Sequence, residues 1–407
     1  MDFLTSITAG EALGIIASFS LDPLQITEVS LEEAAFRILA EEIIAPEDIP
    51  PFSRSLVDGY AVKAKDTYGA RESAPALLLP KGEIPVGEAT EKSVGEGEAV
   101  YVATGAMVPA GADSVVMQEH VRRSADDLEV LGSVRRGENI CFKGEDIGKG
   151  EAVLSMGKAL SPFDIGVLAA LGITRVRVFR LPLVGLASSG DEVVPVEAHP
   201  PLGKIRDINT HTISNLLKAK GCSVLFAGIA EDSLPDLTDK LSLMRECDMM
   251  LLSGGSSKGQ ADFVTAAIEA LGGEVLFHGI NIRPGKPTIF ATLWGKPVFG
   301  LPGHPVSCAM VTLRFVFPLV GRLKGETPPA RGRVIRGTLA TNVPSSFGVE
   351  EYVRVTIERS AAASAVRPVF AKSSVISTLS KADGFIIVPE GAEGLEGGVE
   401  VEVYPLA

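Results

Sequence analysis

The sequence predicts an α/β-plus-β fold class, in which a doubly wound α/β domain lies between β-rich regions of a multidomain chain. Strand-like and helix-like segments alternate from residue 181 to about residue 325, whereas short strand-like runs dominate residues 58–139 and 331–403. The chain has 407 residues, and at roughly 150 residues per domain this length gives two to four domains. Its 43 glycines and 26 prolines are spread too evenly for collagen or a disordered linker.

Composition excludes several classes of protein. The chain carries 38 basic and 51 acidic side chains and a net charge of −13, so nucleic acid is not expected as a partner, because phosphate contacts need a basic face. No stretch reaches the roughly 18 uninterrupted apolar residues of a membrane span, since Glu11, Gly14 and Ser18 interrupt the apolar N-terminal segment. That segment also lacks the pattern of a signal peptide. We therefore expect no membrane partner and a cytoplasmic location.

The four cysteines, Cys141, Cys222, Cys247 and Cys308, are scattered singly along the chain. Their spacing fits neither a zinc site nor the disulfide framework of a secreted domain. We expect all of them to be buried thiols.

Two helices are predicted within the first 180 residues. Ser30 and Glu33 form a capping-box pair ahead of apolar residues at helical spacing up to position 39. Ser161 and Pro162 begin the second helix, and Gly172 ends it. Because these helices are similar in character and flank a run of short strands, we predict a discontinuous N-terminal domain, residues 1–45 and 141–180, carrying an inserted β module, residues 46–140.

The α/β domain is predicted over residues 181–327. Apolar strands at residues 183–187, 224–229, 249–252 and 297–300 precede helices at residues 210–220, 234–245, 263–271 and from residue 305 onward. Continuous apolar runs that alternate with helices predict a parallel sheet covered on both faces. The remaining residues, 328–407, return to short strands and predict a C-terminal β domain.

A glycine-rich loop follows the strand at residues 249–252. It supplies the candidate substrate-binding residues Gly254, Gly255, Ser256, Ser257, Lys258 and Gly259, and Asp262 lies just before the helix predicted at residues 263–271. Because glycine backbones can aim several N–H groups at one point ahead of a helix N-terminus, the loop suits a phosphate. The alternative is a tight turn with Asp262 as an N-cap. The spacing matches neither a Walker loop nor a dinucleotide fingerprint.

Acidic residues follow two other strands of the α/β domain. Asp191 and Glu192 come after the first strand, and Asp232 comes after the strand at residues 224–229. Ligands of open α/β sheets bind outside the carboxyl ends of the strands, so we expect these acids near the glycine loop. Carboxylates beside a phosphate suit Mg²⁺. For an isolated Asp-Glu pair, the alternative is a solvated turn.

Further loops carry candidate binding residues. Arg283 and Lys286 lie on a loop stiffened by two prolines, which suits a phosphate or a molybdate-like oxyanion at little ordering cost. The alternative is a rigid exposed turn. His304 precedes the last helix of the domain, where a structural role is the commoner one for a single histidine. In the β module, the segments around Asp58 and Thr104 indicate β-turns when taken alone.

In chain order, these segments resemble the motifs of the molybdopterin molybdenumtransferases, the MoeA family, whose eukaryotic counterpart is the C-terminal region of gephyrin. The matching segments cover essentially the whole chain, at residues 58–61, 104–106, 144–147, 189–192, 207–209, 253–262, 284–287 and 301–303. The resemblance implies an elongated four-domain subunit with a MogA-like α/β domain. It also implies a homodimer whose active site lies between the α/β domain of one subunit and the β module of the other.

The resemblance further implies an activity and a set of site residues. The family takes adenylylated molybdopterin and molybdate, inserts the metal at the dithiolene and releases AMP. The implied catalytic positions are Asp58, Thr104, Asp146, Glu192, Asp232 and Asp262, and the implied substrate-binding positions include Lys286, Pro302 and Pro305. Other proteins of molybdenum cofactor biosynthesis are further implied partners.

The residues and the resemblance agree on a mechanism. Lys286, Arg283 and the amides of the glycine loop would hold the phosphates, while Glu192 and Asp262 would bind Mg²⁺ as the cofactor that bridges them. These charges would offset the negative charge that develops on the departing AMP. We assign Asp58, as a hypothesis, to hydrogen bonding with the pterin or the oxyanion.

Several residues depart from the family pattern. Ser256 and Lys258 stand where valines are common, Arg283 where lysine is common, and His304 where asparagine is common. Arginine keeps the charge but favours bidentate binding. These departures bear on substrate choice rather than on fold.

Three alternatives remain open at the level of sequence. The chain would be a non-catalytic scaffold that binds molybdopterin for a partner, a paralogue that inserts tungstate, or a nucleotide-cleaving enzyme that uses the same α/β domain, as the competence-damage proteins do. The acidic positions argue against the scaffold, and the segments around Asp58 and Thr104 argue against the nucleotide-cleaving enzyme.

Overall fold

The computed structural model describes residues 6–21, 25–124, 126–254, 261–326, 334–359 and 364–406. Within these ranges the strands form three six-stranded sheets and several two-stranded pairs. One sheet lies in the β module, one in the α/β domain and one in the C-terminal domain. The predicted fold class is therefore confirmed.

The first segment contains a helix that the sequence analysis passed over. Its elements are α1 (Ala9–Ser18), β1 (Ile26–Ser30), α2 (Leu31–Ala34) and β2 (Ile43–Ile44). A capping box begins α1, because the Thr8 hydroxyl accepts the Glu11 N–H at 3.1 Å and the Glu11 carboxylate accepts the Thr8 N–H at 2.8 Å. The guanidinium of Arg322 donates to the carbonyls of Ile16 and Phe19, both at 2.7 Å, and ties α1 to the α/β domain.

The helix predicted from Ser30 to residue 39 is wrong in length. It spans only Leu31–Ala34, and the Ser30 side chain makes no capping hydrogen bond. Phe36 has a φ of 64°, and this left-handed conformation cannot continue a right-handed helix. Ile38 and Leu39, whose spacing indicated a helix, form isolated β-bridges instead. Tertiary pairing here overrides the local apolar pattern.

The β module consists of short strands, as its run of turn residues predicts. They are β3 (Arg54–Ser55), β4 (Gly59–Val62), β5 (Arg71–Ile84), β6 (Glu98–Val102), β7 (Ser114–Met117), β8 (Val121–Ser124), β9 (Asp127–Gly132) and β10 (Ile140–Cys141), with 3₁₀ turns at Ala64–Thr67 and Gln118–His120. Six of them form a sheet in the order β7-β4-β6-β5-β9-β8. In this sheet β5 and β6 are parallel, and the other neighbours are antiparallel.

Chain segments on both sides of the module share one small core. The second segment contains β11 (Ala152–Leu154), α3 (Pro162–Ala170) and β12 (Arg175–Phe179). Here β1 pairs with β12 and β2 pairs with β11, all antiparallel. The buried residues Val29, Leu39, Leu160, Leu168 and Val178 belong to one apolar cluster. These contacts support the predicted discontinuous domain, whose boundaries stay a prediction, whereas α1 packs with the core of the α/β domain.

Helix α3 follows its predicted caps. Ser161 accepts the N–H of Asp164 at 3.2 Å, the Asp164 carboxylate accepts the N–H of Ser161 at 2.8 Å, and Pro162 is the first helical residue. Gly172, with a φ of 69°, lies just beyond the last turn. The predicted second helix is thus confirmed.

The α/β domain contains the predicted strands and helices and several further strands. Its elements are β13 (Leu183–Ser189), β14 (Val193–Val194), β15 (Ile205–Arg206), α4 (Asn209–Ala219), β16 (Ser223–Ala230), α5 (Leu234–Leu243), β17 (Met249–Ser253), α6 (Ala261–Ala270), β18 (Glu274–His278), β19 (Ile282–Arg283), β20 (Ile289–Leu293), β21 (Lys296–Leu301), α7 (Pro305–Val311), a π-helical turn at Thr312–Val316 and α8 (Phe317–Leu323). Apolar clusters pack against the sheet on both faces, as in a doubly wound domain.

The main sheet of this domain is mixed rather than wholly parallel. Its order is β16-β13-β17-β21-β20-β18. The first four strands are parallel, but β20 is antiparallel to both β21 and β18. Trp294 and Gly295 join β20 to β21 with φ values of 55° and 75°. A two-residue turn of this kind permits only antiparallel pairing, because a parallel connection needs a dozen or more residues.

The C-terminal domain is attached to the α/β domain through a shared sheet. It contains β22 (Ile335–Leu339), β23 (Val343–Pro344), β24 (Glu350–Arg359), β25 (Ser364–Pro368), α9 (Ser377–Lys381), β26 (Gly384–Val388), β27 (Gly394–Leu395) and β28 (Glu400–Pro405). The sheet order is β19-β24-β25-β22-β28-β26, and β26 also pairs with β24. Strand β19 of the α/β domain therefore pairs in parallel with β24, with Arg283 opposite Glu351.

In the described part of the chain, the helical run Pro305–Leu323 has the length and composition of a membrane span. Of its most apolar window, 67% is buried inside the protein. A core helix of a folded domain meets the same criteria, and this run packs in the apolar core of the α/β domain.

The discontinuous core can be tested with Leu168→Ala in α3. Leu168 is fully buried, so its truncation should destabilise the protein by about 2–5 kcal/mol through lost burial and a cavity. Hydrogen exchange should then accelerate in both β1 and β12, while β4 and β6 of the module keep their protection. The matched control is Phe163→Ala in the same helix, which should change stability by no more than about 0.5 kcal/mol because Phe163 is 86% exposed. Faster exchange in only one of β1 and β12 would contradict a shared core.

Candidate active site

The carboxyl ends of β13 and β17 meet where the order of the main sheet reverses, which is where open α/β sheets bind ligands. Gly254 directly follows β17 with a φ of 101°, and its N–H donates to the carbonyl of Leu301 at 3.1 Å. A Cβ atom on Gly254 would lie 2.1 Å from the carbonyl oxygen of Ser189. Only glycine fits here, so the first residue of the predicted phosphate loop is set by close packing of two strand ends.

The acidic turn after β13 is held by its own side chains. The Asp191 carboxylate accepts the N–H of Asp232 at 3.1 Å, and the Asp232 carboxylate accepts the N–H of Asp191 at 3.3 Å. The hydroxyl of Ser189 also donates to Asp232 at 2.8 Å. Asp232, predicted to be catalytic, therefore braces the turn. The carboxylate of Glu192 is exposed and has no hydrogen-bond or ion-pair partner among the described residues.

A buried polar network lies next to this turn. Asp207, which is 5% exposed, accepts the hydroxyl of Ser188 at 2.9 Å and the N–H of Thr210 at 3.1 Å. The amide nitrogen of Asn209 donates to the carbonyl of Gly303 at 2.8 Å. The network therefore joins the start of α4 to the loop that contains Pro302 and precedes Pro305, and both prolines are buried. These positions shape the sheet edge through packing.

The rest of the predicted phosphate loop, Gly255, Ser256, Ser257, Lys258 and Gly259, lies outside the described residues. Asp262 belongs to α6, and only its backbone is described. In the described part of the chain no three acidic, histidine or cysteine side chains are grouped as metal ligands. Mg²⁺ usually needs only one or two carboxylates together with substrate phosphates. The exposed carboxylate of Glu192 fits that chemistry.

The module residues Asp58 and Thr104 form a pair of their own. The Asp58 carboxylate accepts both the N–H of Thr104 at 2.7 Å and its hydroxyl at 2.9 Å. These two donors, the backbone N–H first, hold the pKa of Asp58 below its usual range. The stabilisation by this pair is present above the pKa of the unfolded chain and is lost as the pH falls through the lowered value.

Asp146, the third candidate near the module, is exposed, and its N–H donates to the carbonyl of Ile49 at 3.0 Å. Among the described residues, no hydrogen bond or ion pair joins Asp58, Thr104 or Asp146 to the sheet edge. The candidates thus occupy two groups within one chain.

A cleft of about 580 Å³ opens between the α/β domain and the C-terminal domain. The pairing of β19 with β24 forms its base, and the segment at residues 369–374 forms a wall. Its charged and polar lining comprises Arg283, His304, Glu351, Tyr352, Arg354, Lys372, Ser373 and Ser374. The permanent cations in this lining outnumber the carboxylates, although the protein as a whole is acidic. The cleft therefore suits an anion.

Arg354 carries the strongest signal in this cleft. It is 5% exposed, and its guanidinium donates to the carbonyl of Ala371 at 2.8 Å. Its Nε atom is buried without a hydrogen-bond partner, and no described carboxylate forms an ion pair with it. Burial lowers the pKa of Arg354. A buried cation without a counter-charge is costly, so the arrangement favours an anionic ligand.

The cationic loop predicted at residues 283–287 contributes to the cleft through one of its two cations. Arg283 lines the cleft and lies 3.5 Å from Glu351. Lys286 is exposed on the same loop but is not among the cleft-lining residues, and its carbonyl accepts the N–H groups of Ile280 and Thr288 at 2.9 Å. Sequence reasoning missed Arg354 and Lys372. For Arg354, the available signal in the sequence was a single arginine within the apolar run of β24.

Three family models match the chain in order. They are the "MoeA N-terminal region (domain I and II)" over residues 7–172, the "Probable molybdopterin binding domain" over residues 185–322 and the "MoeA C-terminal region (domain IV)" over residues 336–406. The chain belongs to the MoeA family. This membership confirms the predicted family, the predicted role in molybdenum cofactor biosynthesis and the predicted transferase class.

Named relatives and a solved structure are similar over nearly the whole chain. A molybdopterin molybdenumtransferase of Haemophilus influenzae is 32% identical, with 94% of each chain covered. One of Bacillus subtilis is 34% identical, covering 92% of this chain and 88% of its own. A crystal structure of a molybdopterin biosynthesis MoeA protein from Pyrococcus horikoshii superposes with a TM-score of 0.84 at 37% identity, covering 99% of this chain and 100% of its own.

The Asp58–Thr104 pair yields a prediction for this MoeA-family chain. Thr104→Val removes the hydroxyl donor but keeps the N–H donor, so the pKa of Asp58 should rise part of the way towards its usual value. Carboxyl carbon NMR titration measures this directly. Thr104→Ser keeps the hydroxyl and should leave the pKa of Asp58 unchanged. An equal rise in both variants would show that the hydroxyl does not stabilise the carboxylate.

Proposed function

We propose that this chain inserts molybdate into adenylylated molybdopterin and releases AMP. The single observation that carries the proposal is the buried guanidinium of Arg354, which lines a cleft and has no described carboxylate to pair with. Membership of the MoeA family supplies the chemistry of the substrates. In the proposed reaction, water breaks the phosphoanhydride bond to give AMP and the pterin phosphate. The two dithiolene thiols form two Mo–S bonds, and their two protons pass to one oxo group of molybdate, which leaves as water without a change in the oxidation state of molybdenum.

The cleft is the proposed site for molybdate. Arg354 and Arg283 come from the two domains that form the cleft, and Lys372 lies on its wall. Guanidinium groups match oxyanions through parallel N–H donors. Because Arg354 is already desolvated and fixed by the Ala371 carbonyl, it loses little hydration and little freedom when the oxyanion binds.

The edge of the main sheet is the proposed site for the phosphates. Gly254 and Gly303 bring two strand-to-helix loops together, since a Cβ on Gly303 would lie 3.7 Å from the Cα of Gly254. Gly303 precedes His304, which lines the cleft, so the sheet edge and the cleft are continuous along the chain. The predicted ligands Glu192 and Asp262 would hold Mg²⁺ there. When bound, the metal ion would neutralise negative charge on the phosphates.

A homodimer is proposed to complete the site. Among the described residues, no hydrogen bond or ion pair joins Asp58, Thr104 or Asp146 to the sheet edge of their own chain, which supports the proposal that they act on the substrate held by a second copy. Lys286, Pro302, Pro305 and the glycine loop stay proposed substrate contacts. A cytoplasmic location is likewise proposed, and the free thiols of the four cysteines support it, because disulfides are rare in the cytosol.

The decisive experiment incubates the purified chain with adenylylated molybdopterin, Mg²⁺ and molybdate, and follows AMP release and the molybdenum bound to the pterin. Molybdenum insertion coupled to AMP release supports the proposal. Tight pterin binding without AMP release would instead indicate a scaffold. A parallel reaction with tungstate tests which oxyanion is preferred.

Arg354→Gln tests the oxyanion site. The substitution removes the buried charge, and we expect molybdate affinity measured by calorimetry to fall about 10- to 100-fold, since a hydrogen bond to a charged group contributes about 1.5–3 kcal/mol. Arg354→Lys keeps a charge in the cleft and should lose less. The matched control is Arg336→Gln in the same domain, which removes an exposed ion pair with Glu402 and should leave affinity unchanged. Equal affinities of Arg354→Gln and the wild type would place the oxyanion elsewhere.

Glu192→Gln tests the proposed metal site. Loss of the exposed carboxylate should raise the Mg²⁺ concentration needed for half-maximal AMP release by about tenfold, equivalent to about 1.4 kcal/mol. Molybdate affinity in the absence of Mg²⁺ should not change. The control is Glu197→Gln, another exposed acid close in sequence. An unchanged Mg²⁺ requirement in Glu192→Gln would exclude Glu192 as a ligand.

A further inference from the structure

His304 occupies a fixed position on the wall of the cleft. It precedes the first residue of α7, and its Nδ1 atom lies 3.1 Å from the hydroxyl oxygen of Ser373. The N–H of Val306 donates to the carbonyl of the same Ser373 at 3.1 Å. The imidazole is therefore anchored to the segment at residues 369–374, which belongs to the other domain.

The second ring nitrogen of His304 is available to a ligand. The side chain is exposed to the cleft, and its Nε2 atom has no hydrogen-bond or ion-pair partner among the described residues. The Ser373 hydroxyl can accept a hydrogen bond or donate one, so it satisfies Nδ1 in either protonation state of the ring. Protonation therefore costs no existing hydrogen bond and gives the cleft one more charged donor.

Several charged groups line the cleft around the His304 ring. The cleft is also lined by Arg283, Arg354 and Lys372, and its acidic or titratable lining residues are Glu351 and Tyr352. A dianion bound in the cleft would add an opposite charge beside the imidazole, and an opposite charge within about 4–6 Å favours the charged form of a titratable group.

Neither acidic group of the lining replaces the dianion as a partner for His304. The Glu351 carboxylate accepts the hydroxyl of Ser345 at 2.8 Å and lies 3.5 Å from Arg283. Burial raises the pKa of Tyr352, so its hydroxyl stays protonated and donates to Glu350 at 2.6 Å.

We propose that His304 is a binding residue for the oxyanion and takes up a proton as the oxyanion binds. The proton arrives from solvent on the imidazole, and the two Nδ1–H and Nε2–H groups then donate to Ser373 and to the bound dianion. Histidine is the side chain whose ordinary titration lies between about pH 5 and 8. Oxyanion affinity is therefore coupled to pH in this range. The inference rests on the proposed function, because it requires that the cleft binds molybdate.

Calorimetry with molybdate alone tests the coupling. Titrations at one pH in buffers of different ionisation enthalpy report the protons taken up, and molybdate itself stays a dianion near neutral pH. We expect uptake of up to about one proton per molybdate in the wild type, and affinity that falls by up to about tenfold per pH unit as the pH rises. His304→Asn can still pair with Ser373 but cannot be charged, so it should show weaker binding below pH 7, little uptake and a flat pH profile. The matched control His120→Asn changes an exposed histidine of the module and should behave as the wild type.

The outcomes are distinguishable. Equal proton uptake in His304→Asn and the wild type would overturn the proposal and leave the oxyanion site intact. Absence of molybdate binding in the wild type at every pH would overturn this proposal together with the proposed oxyanion cleft. NMR titration of the His304 ring is made on the wild-type protein, so it does not depend on whether a variant folds. Its midpoint should move to higher pH when molybdate is added, and an unmoved midpoint would also overturn the proposal.

Discussion

The pairing of two residues of β19 with two residues of β24 is the constraint on which the cleft depends. It places Ile282 and Arg283 of the α/β domain opposite Glu350 and Glu351 of the C-terminal domain in parallel register. Because side chains alternate along a strand, this register decides which groups of each domain face the cleft. A slip by one residue would turn Arg283 away from Glu351 and open the base of the site. A contact of only two ladder positions is weak by itself. It is supported by Arg314, which lies 3.8 Å from the Glu350 carboxylate that also accepts the Tyr352 hydroxyl.

The Arg354 guanidinium is buried at this junction, in the lining of the cleft. Exposed arginines in the same domain pair with carboxylates, as Arg336 does with Glu402 at 3.1 Å and Arg367 does with Glu358 at 2.7 Å. Arg354 has instead one carbonyl partner and a buried Nε atom without any. The guanidinium of Arg354 is thus already desolvated in the folded protein, so the binding of an anionic ligand does not add that cost. A site arranged in this way binds through electrostatics that are fixed before the ligand arrives.

Helix caps and apolar periodicity predicted the helices and strands correctly where residues close in sequence determine the structure. The caps of α3 and the alternation of strands and helices from β13 to α7 needed only short-range patterns. Prediction failed where distant segments decide the outcome. Ile38 and Leu39 have helical spacing but pair as bridges, and β20 turns back on β21 through Trp294 and Gly295. The cleft could not be predicted, because Arg283, His304 and Arg354 converge only through the β19–β24 register. The reciprocal hydrogen bonds between Asp191 and Asp232 show the same limit. The sequence indicates two acidic residues, but it does not indicate that each carboxylate accepts the backbone N–H of the other.

An acidic chain can bind an anion in a cationic cleft, because the cations of the cleft lie close to the ligand and most of the acidic side chains lie further away. At physiological ionic strength, charges exposed to solvent are screened beyond about 8 Å. The net charge of −13 therefore acts weakly on a dianion that has entered a cleft whose nearest charges are Arg283, Arg354 and Lys372. The long-range charge slows the approach of a polyanion, while these few groups set the strength of binding. Raising the ionic strength consequently weakens both the long-range repulsion that slows entry of the polyanion and the local attraction that retains it. The buried guanidinium of Arg354 is the least exposed of these groups to mobile ions, so its attraction for the dianion is screened least.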